Sequence, residues 1–158
     1  MNFEAGIGTL LLAQGLTLAT AESCTGGLVA HRITNVPGSS GYYLGGFVTY
    51  SNEAKEALLG VRHETLLAHG AVSEETAREM ARGARQRLEA DVAVSTTGIA
   101  GPTGSTPEKP VGLVYIALSA PDAELCLRQV WQGGRLANKE QSAEAVLHLL
   151  LTYLRRGR

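Results

Sequence analysis

The chain predicts an α/β fold, a three-layer α/β/α sandwich around a mixed five-stranded sheet. Three observations lead there. Segments with apolar residues at helical spacing alternate with the first three short apolar or β-branched runs, and strands separated by helices pair in parallel. The last two runs are joined by a turn at Pro121-Asp122, which suits an antiparallel hairpin. A long amphipathic segment then closes the chain, enough helix to cover both faces of such a sheet.

Phe3, Ile7, Leu10 and Leu11 recur at helical spacing and place a first helix ending near Gln14-Gly15. Leu16 to Ala21, with Thr17 and Thr20, reads as a buried strand. Cys24 to Thr34 reads as a helix whose first turn holds Thr25, Gly26 and Gly27. Pro37 to Gly41 is a turn, and Tyr42 to Tyr50 is a second strand rich in aromatic and β-branched residues. Glu53 to Leu59 forms a short helix. Ser73 caps a longer one, with Glu74 and Glu75 in the turn where the helix dipole favours negative charge. Its inward stripe is Ala77, Met80, Ala81, Ala84 and Leu88. Asp91 to Thr97 is the third strand, followed by a glycine- and proline-rich loop from Gly98 to Pro110, long enough to suggest function. Val111 to Ser119 and Glu124 to Trp131 make the hairpin, and Ala143, Val146, Leu147, Leu150 and Leu154 give the last helix its buried face.

Residues 1–158 fit one domain, large enough to bury roughly two-thirds of its unfolded surface without disulfides. A net charge of -1 and only 5% aromatic residues argue against a nucleic-acid partner. The one basic cluster, Arg155, Arg156 and Arg158, reads as a solvated tail beyond the last helix. Two cysteines far apart, Cys24 and Cys126, point to a reducing compartment. The apolar stretch Gly6 to Ala13 is too short to span a membrane, and Glu4 stands where a signal peptide carries positive charge. The expectation is a cytoplasmic protein that engages no membrane.

Ligand sites in open α/β sheets lie beyond the carboxyl ends of the strands. Three unusual segments fall at such ends: Glu22 to Gly27, Tyr50 to Lys55, and Thr97 to Pro102. Ser23 sits on a strand-to-helix turn, where the N–H groups of the next helix can hold a phosphate or an oxyanion, and Gly26 and Gly27 let a ligand approach the backbone. A serine there is either a nucleophile or a helix cap. A nucleophilic serine needs a base. His31 lies inside its helix, His63 and His69 flank a polar stretch, and His148 belongs to the last helix, so none is placed at these strand ends. Lys55 is placed one turn after the second strand. It is a base if burial populates its neutral amine and a surface lysine otherwise. Arg135, after Gly133-Gly134, is either a bidentate phosphate clamp or an exposed first-turn arginine. No His, Cys, Asp or Glu cluster has metal-ligand spacing, so neither a metal nor another cofactor is expected.

Five ordered motifs resemble the CinA C-terminal domain family: Ala21-Glu22-Ser23-Cys24-Thr25-Gly26-Gly27, Phe47 to Lys55, His69-Gly70-Ala71-Val72-Ser73, Thr97-Gly98-Ile99-Ala100-Gly101-Pro102, and Glu108-Lys109-Pro110-Val111-Gly112. The resemblance runs from about Leu16 to the last helix. It implies a three-layer α/β/α domain and hydrolysis of the carboxamide of nicotinamide mononucleotide to nicotinic acid mononucleotide and ammonia. By position it implies Ser23 as nucleophile, Lys55 as its basic partner and Tyr50 assisting at the reacting end. Thr97 and Arg135 would contact the nucleotide. With Thr25, Gly26, Gly27 and Gly98 these make the expected substrate contacts. The resemblance also implies a homodimer. This chain departs from many relatives at Thr103-Gly104-Ser105, at Gly134 and at Asn138-Lys139. Two other readings fit the same residues, a nucleotide-binding module without turnover and a serine amidase with another substrate.

Overall fold

Strands and helices alternate along the chain in a computed structural model, which describes residues 2–156. They run α1 (Phe3–Gln14), β1 (Leu18–Glu22), α2 (Leu28–Thr34), β2 (Tyr43–Val48), α3 (Asn52–Leu59) and α4 (His63–His69). Then come α5 (Glu74–Arg87), β3 (Val92–Gly98), β4 (Leu113–Ala120), β5 (Ala123–Val130) and α6 (Arg135–Arg155). The sheet order is β2-β1-β3-β4-β5. The first three strands pair in parallel, and β4 and β5 add antiparallel, as the alternation and the hairpin require.

Helices α1, α2 and α6 cover one face, packing Ile7, Leu11, Val29, Ile33, Leu147 and Leu150 against Val94, Ile116 and Leu118. On the other face α5, flanked by α3 and α4, packs Met80 and Ala84 against Ala19, Ala21 and Ala93. Small residues dominate this second interface because α5 lies close to its neighbours. A Cβ on Gly83 would stand 1.9 Å from the Leu59 carbonyl oxygen. Side chains alternate across the sheet, so Leu18 joins the first core and Ala19 and Ala21 join the second.

The register positions the strand ends. Glu22 is level with Val48 on one side and Thr96 on the other, so β1, β2 and β3 release the chain at one edge. Ser23, Thr49 to Lys55 and the loop after Gly98 are thereby gathered together.

Four local expectations are revised. The helix expected from Cys24 begins at Leu28, because Gly26 (φ 61°) and Gly27 (φ 104°) take left-handed conformations that an α-helix cannot contain. The polar stretch between His63 and His69 is itself helical and buries Thr65 and Leu66. β4 starts at Leu113, not Val111. Gly112 has φ 91°, and a Cβ there would lie 1.9 Å from the Trp131 carbonyl oxygen. Arg156 is no free tail residue: its guanidinium stacks 3.4 Å from the Tyr153 ring centroid and pairs with Asp122. Arg158 lies outside the described residues. Among those described, no helix is long and apolar enough to cross a membrane.

Gly83→Ala tests the α3–α5 packing. Helix propensity alone favours alanine by about 1 kcal/mol. The close approach predicts the opposite, a loss of about 1–3 kcal/mol from overpacking, measured by denaturant unfolding. A stabilised variant would contradict the packing described.

Candidate active site

Side-chain alternation carries past the end of β1. The Ser23 N–H still donates to the Thr96 carbonyl at 3.0 Å, continuing the strand pairing. Glu22 therefore turns toward α2, and Ser23 turns the other way, toward α3. The same parity separates Thr96, which meets Thr25 at 2.8 Å, from Thr97, whose hydroxyl donates to the Ala71 carbonyl at 2.7 Å.

Ser51 caps α3 by accepting the Ala54 N–H at 3.0 Å, which sets Lys55 one turn into the helix. Helical side chains lean toward the N-terminus, and the Lys55 amine accordingly reaches back to the end of β2. It donates to the Thr49 carbonyl at 2.9 Å and the Tyr50 carbonyl at 3.4 Å, and it lies 3.1 Å from Ser23 Oγ. Lys55 is 1% exposed and Ser23 8%. All three partners are neutral oxygens. Burial pushes the amine below the usual lysine range, with the neighbouring Cys24 opposing it.

The Lys55 nitrogen donates to both carbonyls and to Ser23 Oγ, and once deprotonated it can keep the two carbonyls and accept the Ser23 O–H on its lone pair. Lys55 is therefore a buried residue and not a surface lysine.

Ser23 and Lys55 form the wall of a cleft of about 290 Å³ that also takes in Tyr50, Thr97, Gly98 and Arg135. Arg135, the first residue of α6, donates to the Gly101 carbonyl at 2.7 Å and to the Tyr50 hydroxyl at 3.0 Å. Its guanidinium thus joins the loop after β3 to the segment after β2. Gly98 is there for space: a Cβ would lie 2.8 Å from the Leu113 carbonyl oxygen.

Three expected substrate contacts fall elsewhere. The Thr25 hydroxyl is buried against Glu22 and Thr96. Gly26 and Gly27 line a separate surface depression with Leu136 and Lys139. The N–H groups of α2 are already occupied too. Those of Gly27 and Val29 donate to Glu22 Oε1 at 3.1 and 2.9 Å, and that of Ala30 donates to Oε2 at 3.0 Å. An internal carboxylate fills the place where an external anion was expected. The Cys24 N–H, by contrast, donates to no oxygen among the described residues.

Several residues join the site that were not among the expected substrate contacts. Ala71 and Val72 enter from the α4–α5 connection, and Thr103 and Gly104 from the long loop. Asn138, 2% exposed, donates to the Ala100 carbonyl at 3.0 Å and accepts the Gly133 N–H at 3.1 Å, pinning that loop to α6. Its burial one turn after Arg135 is the signal that helical spacing could have supplied.

The match to the CinA C-terminal domain model covers residues 1–154. The chain belongs to the CinA C-terminal domain family. It is 57% identical to a CinA-like protein of Chloroherpeton thalassium over 155 residues, 95% of this chain and 37% of that protein. It is 54% identical to a putative competence-damage inducible protein of Moorella thermoacetica over 154 residues, 98% of this chain and again 37% of the relative. The chain therefore spans little more than a third of the length of these curated relatives. Among solved structures, the competence damage-inducible protein A (ComA) of Klebsiella pneumoniae superposes with a TM-score of 0.95 at 34% identity, covering 99% of this chain and 97% of that one. The competence/damage inducible protein CihA of Agrobacterium tumefaciens gives 0.89 at 42% identity, with the same coverage. Both agree with the α/β architecture described above.

Cys24 lies beside Ser23 on the cleft, but burial pushes its thiol up to about 12, which suppresses the thiolate. Burial likewise raises Cys126 to about 11. At pH 8 both thiols of the native protein should react with an aromatic disulfide reagent more than about tenfold slower than in denaturant. Rapid native labelling of Cys24 would make it a rival to Ser23 as the nucleophile.

Proposed function

We propose that this domain hydrolyses the carboxamide of nicotinamide mononucleotide, giving nicotinic acid mononucleotide and ammonia, with Ser23 as nucleophile and Lys55 as general base. The observation that carries the proposal is the buried amine 3.1 Å from Ser23 Oγ with only neutral oxygens for partners. The substrate comes from the family resemblance, and two features of the cleft support it. Its volume, about 290 Å³, is just below the ~300–1,000 Å³ usual for ligand clefts, in keeping with a small ligand. Arg135 holds a fixed cation at the cleft wall, suited to a phosphate.

In this mechanism Lys55 takes the Ser23 proton as Oγ attacks the carboxamide carbon. The oxyanion is met by the Cys24 N–H, the first after the nucleophile, and one such donor contributes roughly 3–4 kcal/mol to the transition state. Collapse breaks the C–N bond, and the Lys55 ammonium returns its proton to the departing nitrogen, which leaves as ammonia. Water, deprotonated by the neutral amine, then cleaves the acyl-serine and regenerates both side chains. Tyr50 and Arg135, linked through the phenol, hold the nucleotide while this happens. The depressed amine pKa sets the pH dependence. Activity rises with pH through that pKa as Lys55 loses its proton, and it falls on acidification.

Ammonia release from the purified protein tests the reading, comparing nicotinamide mononucleotide with free nicotinamide. Turnover should require the nucleotide. Ser23→Ala should abolish turnover and leave nucleotide affinity within a few-fold. Lys55→Arg keeps the charge but cannot act as a base near neutral pH, so turnover should collapse in a variant that still folds and binds. No ammonia from wild type would leave a binding module. Substantial turnover by Lys55→Arg would sink the base assignment.

A further inference from the structure

Glu22 is an unusual residue to find at the end of a central strand. It is 1% exposed, yet it makes no ion pair among the described residues. Its carboxylate instead accepts four hydrogen bonds from the segment that follows it. Thr25 Oγ1 donates at 2.6 Å, and the Gly27, Val29 and Ala30 N–H groups donate at 2.9–3.1 Å. A carboxylate with that many donors sits at low energy without a cation, because each is a charge-assisted bond in a dry environment.

The bonds close a ring. The chain leaves β1 at Glu22, turns through Ser23 and Cys24, reverses at Gly26 and Gly27, and enters α2. The Glu22 side chain ties the far end of that path back to its start. The ring is anchored outside as well. The Glu22 carbonyl accepts the Thr49 N–H at 2.8 Å, and Thr25 Oγ1 meets Thr96 Oγ1 at 2.8 Å. Ser23 lies on the tightest part of a loop fixed at both ends, and its Oγ must meet an amine that is itself held by two carbonyls.

We infer that Glu22 is a positioning residue for the nucleophile: its buried carboxylate caps α2 from within and fixes the turn that aims Ser23 Oγ at Lys55. It touches no substrate and transfers no proton. The role rests on the proposed Ser23–Lys55 chemistry but goes further, since it assigns the strand-end carboxylate a task that neither group performs. It also gives Thr25 its part, as the donor that orients Glu22 Oε1.

Glu22→Gln is the direct test. The amide keeps the shape and Oε1, but its NH₂ faces the Ala30 N–H, so one bond becomes a clash of donors. Misplacement of a reacting group by about 1 Å costs on the order of 100-fold. We expect kcat to fall about 10–100-fold with KM within about threefold. The rate at which a fluorophosphonate labels Ser23, followed by intact mass, should fall by a similar factor. Far-UV circular dichroism should match wild type. Thr25→Val serves if Glu22→Gln does not fold. It removes the Oε1 donor and leaves the carboxylate, and Ser23 labelling should slow at least threefold. Labelling separates this inference from the amidase reading. A wild type that labels at Ser23 without releasing ammonia, beside slowed variants, supports Glu22 while removing the amide substrate. Wild-type labelling rates in the folded variants, or a raised KM with kcat unchanged, would overturn the positioning role.

Discussion

The Lys55 amine is the constraint around which the rest of the site is arranged. A buried ammonium is expensive unless paired with a carboxylate, and here the partners are two backbone carbonyls and a serine hydroxyl. Losing the proton relieves the cost. The amine therefore binds its proton less tightly in the folded protein than in the unfolded chain. Raising the pH through the interval between the two affinities stabilises the fold, and acidification forces a proton into a dry site. The nearest fully buried carboxylate, Glu22, is committed to the N–H groups of α2 and does not supply the missing partner. The two buried groups thus keep separate sets of partners, one of carbonyls and one of N–H groups.

The sheet makes the arrangement possible. Three parallel strands end at one edge, and the two-residue alternation of β1 sends Glu22 and Ser23 to opposite faces. One face carries α2, which needs an anion at its start. The other carries α3, which presents Lys55. A shift of β1 by one residue would exchange the two side chains and disable both contacts. Arg135 and Asn138 then bind the long loop to α6, so the cleft wall opposite Ser23 is held by side chains on a helix.

The strand ends, the parallel core and the closing hairpin were legible because periodicity and turn residues report them directly. The pairing of Ser23 with Lys55 was legible only in part. Both residues stood at strand ends, but the 3.1 Å contact depends on register and on the Ser51 cap. The start of α2 was misplaced because apolar spacing from Leu28 onward extends backwards through Gly26 and Gly27 without a visible break. The left-handed backbone at those glycines is a tertiary outcome, fixed by the Glu22 carboxylate. For the same reason Thr25, Gly26 and Gly27 were read as ligand contacts. A glycine-rich helix start looks alike in sequence whether its N–H groups await a phosphate or are filled from within. Helix α4 was missed because seven residues with exposed histidines at both ends carry too little apolar signal.

The charge state of Lys55 is the central claim, and it can be read directly. Lysines labelled with ¹³C at Cε can be titrated by NMR, with Lys55 assigned from the Lys55→Arg spectrum. The account predicts that the Lys55 Cε resonance titrates below those of Lys109 and Lys139. A Lys55 signal that titrates together with those two lysines, or above them, would contradict it.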